Sequence, residues 1–184
     1  FFSYLIRLPL LKRILPSLLR RLFILLGKEI FNIKFKDLIL ETNIRDPHDR
    51  EIFFTQKYEE DQLLELFSII RNDNIKIFID IGANSGIYSL LLSNEFDYLV
   101  INAFEPIKST YNKFLRNIEK NNLSSKIKTY NLGLSNQTGI FKMQTNVKFG
   151  YNQSAGYFVS DNGDKEAIFN KGYVLGKDYQ NGEK

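Results

Sequence analysis

The stretch "FIDIGANSGIYSLLLS", Phe78 to Ser93, constrains the fold more than any other part of the chain. The β-branched run "IKIFIDIG" ends in an acid, passes through a glycine-spaced turn and enters an apolar segment long enough for a helix. Such a run is typical of a buried parallel strand. Gly82 and Gly86 permit a tight turn, and Asn84 is the non-glycine residue type that best tolerates a left-handed backbone. Open parallel sheets are built from strand–turn–helix units of this kind, and their ligands bind outside the carboxyl ends of the strands.

Neighbouring segments repeat the unit. "YEEDQLLELFSIIRN" places Leu63, Leu64, Phe67 and Ile70 at helical spacing ahead of the first buried strand, and a helix from about Ser85 to Asn94 follows it. "YLVINAFEP" reads as a second buried strand. "STYNKFLRNIEKNN" reads as a helix capped by Ser109 or Thr110, with Tyr111, Phe114, Leu115 and Ile118 on one face. "KIKTYNLGLS" is a third strand leading into a turn. This alternation predicts an α/β fold with a Rossmann-like, doubly wound parallel sheet. Upstream, "IFNIKFKDLILETN" alternates apolar and charged residues as a strand or hairpin would. From Asn136 onward the short runs punctuated by Gly and Asn read as hairpins or a long excursion.

Charge separates the first 28 residues from the rest. They hold Arg7, Lys12, Arg13, Arg20, Arg21 and Lys28 and no acid, leaving 19 basic against 21 acidic residues in 29–184. The basicity of the chain is therefore no sign of nucleic-acid binding by its main body. Residues 1–28 form an apolar, basic segment with a helix expected from Ser17, ended by Gly27. Its longest uncharged stretch falls far short of the ~18 residues of a membrane span. It is expected to pack on the domain or a partner, or else to meet a membrane surface with its basic residues. There is no cysteine, and the single histidine, His48 in "IRDPHDR", reads as a solvated loop residue, so no metal site is expected.

The site is expected where the first two strands end, at "DIGANSG" and "AFEP". Glu105 lies 25 positions after Asp80, near the spacing at which an acid receives a ribose diol, which suggests a nucleoside ligand. A dinucleotide site has glycine where this chain has Asn84, and Asp80 suits a ligand bearing an ammonium and a sulfonium better than a pyrophosphate. The bland alternative is that Asp80 caps a turn and Glu105 is a surface acid.

Taken together, "YEED" from Tyr58, "FIDIGANSGIYSLLLS", "INAFEPIKSTYNKFLRNIEKNN" and "YNLGLSNQTG" resemble the FkbM-type methyltransferases, over about Leu38 to Phe141. The resemblance implies a class I methyltransferase fold and S-adenosylmethionine as cofactor. The methyl acceptor would be a hydroxyl or amine of a small molecule or glycan. It implies that Asp80, Gly82, Ala83, Asn84 and Gly86 cradle the methionine side and that Glu105 takes the ribose hydroxyls, with Pro106 shaping its turn. Leu134 and Ser135, in "GLS", would face the adenine, and Tyr58 and Glu59 match a pair preceding the first strand. Asn152 and Ser154 resemble a substrate-side segment. A later strand of the type K-I-D-V-E-G does not occur before Lys184, so the chain is expected to hold the first three strands plus the N-terminal helical extension, and to be inactive alone. A cytoplasmic protein is expected, with residues 1–28 at the inner membrane face if they touch lipid. The other readings are a nucleoside-binding module without chemistry and an NAD-dependent oxidoreductase.

Overall fold

The computed structural model describes residues 9–135, 138–145, 156–158 and 165–171. Helix α1 (Pro9–Leu25) precedes a hairpin of β1 (Ile30–Phe35) and β2 (Leu38–Asn43). Helices α2 (Pro47–Thr55) and α3 (Glu60–Asn72) lead into β3 (Ile77–Ile81), α4 (Ile87–Glu95), β4 (Val100–Phe104), α5 (Lys108–Lys120) and β5 (Ile127–Tyr130). Strands β3, β4 and β5 are parallel and lie in that order, the α/β arrangement expected from their alternation with helices.

Register decides which side chains share a face. Phe78 is beside Ile101 and Ile101 beside Ile127, and Ala103 follows on the same face. That face meets Leu63, Ile87, Leu90, Phe114 and Ile118 from the helices and Phe35, Leu38 and Leu40 from the hairpin in one core. Burying a side chain such as Phe114 or Leu90 contributes about 1.5–3 kcal/mol. Within α3 the packed residues are Leu63, Leu66, Phe67 and Ile70, while Leu64, expected inside, is exposed. Residue 64 lies one position round the helix from the inward stripe.

The other face of β3 departs from the expectation of a strand buried on both sides. Ile77, Ile79 and Ile81 are 60, 43 and 64% exposed, since no described element covers them. Among the described residues β3 also has β4 as its only strand neighbour. Burial of a parallel strand depends on what packs over it, and its own composition cannot supply that layer.

Several boundaries moved. Helix α1 starts at Pro9 rather than Ser17 and carries Pro16 inside it, because one proline costs a helix one hydrogen bond without forbidding continuation on either side. Its end is as expected. Gly27, at φ +68°, lets Gly27 N–H bond to Ile24 and Lys28 N–H to Phe23, closing the last turn. Helix α5 begins at Lys108 after Ile107, so neither Ser109 nor Thr110 caps it. The segment "GLS" is a strand, β6 (Gly133–Ser135), rather than a turn. It runs parallel to β9 (Lys165–Lys171), which pairs antiparallel with β7 (Gly139–Thr145), and β7 pairs antiparallel with β8 (Gly156–Phe158). This second sheet is the hairpin-like excursion expected after Asn136. No helix among the described residues is long and apolar enough to cross a membrane.

The candidate cofactor site

The turn after β3 is built from three left-handed residues, Gly82 at φ +78°, Asn84 at +53° and Gly86 at +82°. This is the conformation that the spacing of these residue types anticipates. The backbone N–H groups of Gly82 and Ala83 both donate to the carbonyl of Phe104, at 2.9 Å each, which fixes the turn to the end of β4. Gly86 N–H donates to Ala83 (2.8 Å), and the Asn117 side-chain amide donates to the Ser85 carbonyl (3.1 Å).

Glu105 joins three elements at this point. One carboxylate oxygen accepts the Asn84 N–H at 2.9 Å, and the other accepts the Ile107 N–H at 2.8 Å. Its own N–H donates to Tyr130, and Asn131 donates to its carbonyl. The residue is 4% exposed, so it is not a surface acid. Burial pushes its carboxyl up to about 7, against the two N–H bonds, which favour the charged form, and with a smaller push from the charge of Asp80.

Asp80, at the end of β3, faces the first turn of α4. Its carboxylate accepts the Ser89 hydroxyl at 2.6 Å and the Ser89 backbone N–H as well. It therefore serves the helix start, as the bland alternative supposed, and it also lines a cavity. Burial raises its pKa, which the Ser89 bonds only partly offset.

That cavity, about 300 Å³, opens at the carboxyl end of β3. One side is the turn, with Asp80, Gly82, Ala83 and Asn84. The opposite wall comes from the start of α2, where Asp46, His48 and Asp49 stand, and from Tyr58, Glu59 and Tyr88. Asp46 caps α2 by accepting the N–H groups of His48 and Asp49, and Pro47 occupies the first turn, where its missing N–H costs nothing. His48 is exposed, as expected, but it stands in the first turn of α2 rather than in a loop, and it lines the cavity. Asp49 is buried, accepting the Asn43 N–H at 2.6 Å and an ion pair from Lys113. Burial raises its pKa, with Lys113 pulling the other way.

The tyrosines form the remaining wall. Tyr58 and Tyr88 meet edge to face with centroids 5.9 Å apart, and the Tyr88 hydroxyl donates to Glu59. Burial, then the charges of Glu59 and Asp80, pushes Tyr58 up to about 12, and burial with the Glu59 bond raises Tyr88 as well. Both remain protonated hydrogen-bond donors at neutral pH. Glu59 itself sits at φ +38°, a left-handed conformation rare for a residue with a side chain.

The lining contains four carboxylates (Asp46, Asp49, Glu59 and Asp80) and no lysine or arginine. Such a wall favours a cationic ligand carrying hydrogen-bonding groups and disfavours an anion. Among the described residues no cluster of acids and histidine has the arrangement to hold a metal ion.

Of the residues named from sequence, Tyr58, Glu59, Asp80, Gly82, Ala83 and Asn84 line the cavity. Gly86 and Glu105 stand behind the turn and hold its shape. Pro106, Leu134 and Ser135 do not line this cavity; the last two belong to β6. Asn152 and Ser154 lie outside the described residues. Sequence reasoning missed Asp46, Asp49, Tyr88 and Ser89. The Asp-Pro start of α2 was a legible helix signal, but nothing local says that this helix start faces a turn more than 30 residues later.

No family model matches the chain, and no curated protein matches it. Among solved structures it is similar to StiE O-MT residues 961–1257, at 16% identity and a TM-score of 0.38, over 47% of this chain and 30% of that one. It is also similar to a caffeoyl-CoA O-methyltransferase candidate from Staphylococcus aureus, at 14% identity and a TM-score of 0.37, over 70% of this chain and 48% of that one. The chain thus spans less than half the length of either structure.

Proposed function

We propose that the protein binds S-adenosylmethionine at the turn after β3 and serves methyl transfer to a hydroxyl or amine of a small molecule or glycan, as an FkbM-type methyltransferase. The observation that carries this reading is the cavity at the carboxyl end of β3, lined by four carboxylates, of which Asp49 is paired with Lys113, and by no lysine or arginine. S-adenosylmethionine bears an ammonium and a sulfonium, which such a wall attracts. The pyrophosphate of a dinucleotide would bring negative charge against Asp46, Asp49, Glu59 and Asp80. When bound, S-adenosylmethionine supplies the electrophilic methyl group.

The chain's own residues then bind and orient. Asp80 and Glu59 offer carboxylates to the cationic end, and Tyr58 and Tyr88 frame it with protonated hydroxyls. Gly82, Ala83 and Asn84 place the turn itself against the cavity. Glu105, buried behind the turn, acts through it: its two oxygens hold the Asn84 and Ile107 N–H groups and so keep the turn in the shape that meets the ligand.

Titration calorimetry with S-adenosylmethionine, its demethylated product and NAD tests the proposal. The first two are expected to bind and NAD to bind far more weakly. Asp80→Asn, which removes charge without changing shape, should weaken S-adenosylmethionine by about tenfold or more, as loss of a charge-assisted contact does. NAD binding as tightly as S-adenosylmethionine, or an unaffected Asp80→Asn variant, would overturn the assignment.

A further inference from the structure

Helix α1 turns only part of its apolar surface toward the domain. At about 100° per residue, Phe23 falls on one side, where its ring lies 5.1 Å from Phe31 and 6.2 Å from Phe53. Ile14, Leu18, Leu22 and Leu25 fall toward the opposite side, one above the other, and are 49, 55, 50 and 84% exposed. Single exposed leucines are ordinary on a protein surface, but four aligned along one helix form a continuous stripe.

Charge identifies what the stripe meets. Residues 1–28 carry six basic residues and no acid, and Arg21 and Lys28 are exposed beside the stripe's C-terminal half. A second copy would bring an equally basic segment against the first and be repelled. An anionic lipid surface complements both features at once: the apolar side chains enter the boundary between headgroups and acyl chains, and the basic groups remain with the phosphates. The docked Phe23 side keeps the domain attached while the stripe faces away from it.

We propose that α1 is a membrane-surface helix that holds this domain against an anionic lipid leaflet, lying along it without crossing. This inference does not depend on the methyltransferase reading.

Co-sedimentation of the full chain with vesicles tests it. The protein should pellet with vesicles of phosphatidylcholine mixed with phosphatidylglycerol at low salt, and be released at high salt. Pure phosphatidylcholine should leave it in the supernatant. The double variant Arg21→Gln, Lys28→Gln should bind about 25-fold more weakly, about fivefold per charge. Leu18→Glu with Leu22→Glu should abolish binding while the thermal midpoint stays unchanged, since both side chains are exposed. No pelleting at low salt, equal pelleting with neutral vesicles, or undiminished binding of the Leu18/Leu22 variant would each overturn the proposal. So would a dimer in sedimentation velocity that the same variant dissociates and anionic vesicles do not, which would give the stripe to a second copy.

Discussion

Gly86 and Phe114 meet with no space between them: a β-carbon at position 86 would lie 2.0 Å from two atoms of the Phe114 ring. The glycine is therefore required twice, once by its left-handed backbone and once by the ring of α5 lying on the turn. Gly86→Ala combines about 1–2 kcal/mol of backbone strain with about 1–3 kcal/mol of overpacking, so a loss of about 2–5 kcal/mol is expected. Gly82 is also left-handed, but a β-carbon there meets nothing within 4 Å, and Gly82→Ala should cost only about 1–2 kcal/mol. Urea unfolding of both variants measures the difference. Adding Phe114→Leu should recover part of the Gly86→Ala loss; no recovery would mean the ring is not what excludes the methyl group.

Two glutamates should give the protein opposite pH responses. Glu105 holds its proton up to about 7 in the folded chain and releases it at its ordinary 4.5 once unfolded. Unfolding between those values releases a proton, so the stability it contributes is full below 4.5 and is lost as the pH rises through 7, by roughly 3 kcal/mol at 1.36 kcal/mol per unit. Glu41 behaves the other way. The guanidinium of Arg116, with Lys120 beside it, holds it down to about 2, so its contribution is present above 4.5 and lost as the pH falls toward 2. Thermal midpoints across this range should peak near pH 5. Glu105→Gln should flatten the fall between pH 5 and 7.5, and an unchanged slope would remove Glu105 as its source.

The Asp49–Lys113 pair should be costly to break from one side. Both side chains are largely shielded, so Lys113→Met leaves a buried carboxylate without its counter-charge. A loss of about 3–5 kcal/mol at neutral pH is expected, shrinking in acid as Asp49 takes a proton. The double variant Asp49→Asn, Lys113→Met should be milder than Lys113→Met alone, because the amide oxygen can still accept the Asn43 N–H. A double-mutant cycle by denaturant unfolding decides this, and strict additivity would show that the two side chains are not coupled.

What could be read from the sequence were the features in which one residue type answers one local demand. Gly82, Asn84 and Gly86 announced a left-handed turn because few other residues accept that backbone, and the strand–helix alternation announced the parallel order of β3 to β5. Glu105 stands beside the turn at the end of the second strand, yet its two carboxylate bonds come from the Asn84 and Ile107 N–H groups, and which backbone groups a carboxylate meets is set by packing rather than by a motif. The wall made by Asp46, His48 and Asp49 was invisible, since it exists only once α2 is packed across the turn. The bare face of Ile77, Ile79 and Ile81 was missed for a similar reason: a β-branched run states a preference for cover and cannot state that cover is there.

The outer edge of β2 is closed by side chains rather than by a strand. Asn121 both accepts the Ile39 N–H and donates to the Ile39 carbonyl, at 2.8 Å each, and Asn117 accepts the Glu41 N–H at 2.8 Å while holding Ser85 with its amide. These partners are separated by 82 and 76 residues, so each bond waits on closure of a long loop. The hairpin should consequently join the sheet late on the folding route, after β4 and α5 have met. Asn121→Ala is then expected to hasten unfolding and leave the folding rate nearly unchanged in stopped-flow kinetics. Because Asp49 in the cavity wall is held by the Asn43 N–H at the end of β2, that wall is fixed only when the hairpin arrives, so the site would be the final part of the domain to take shape.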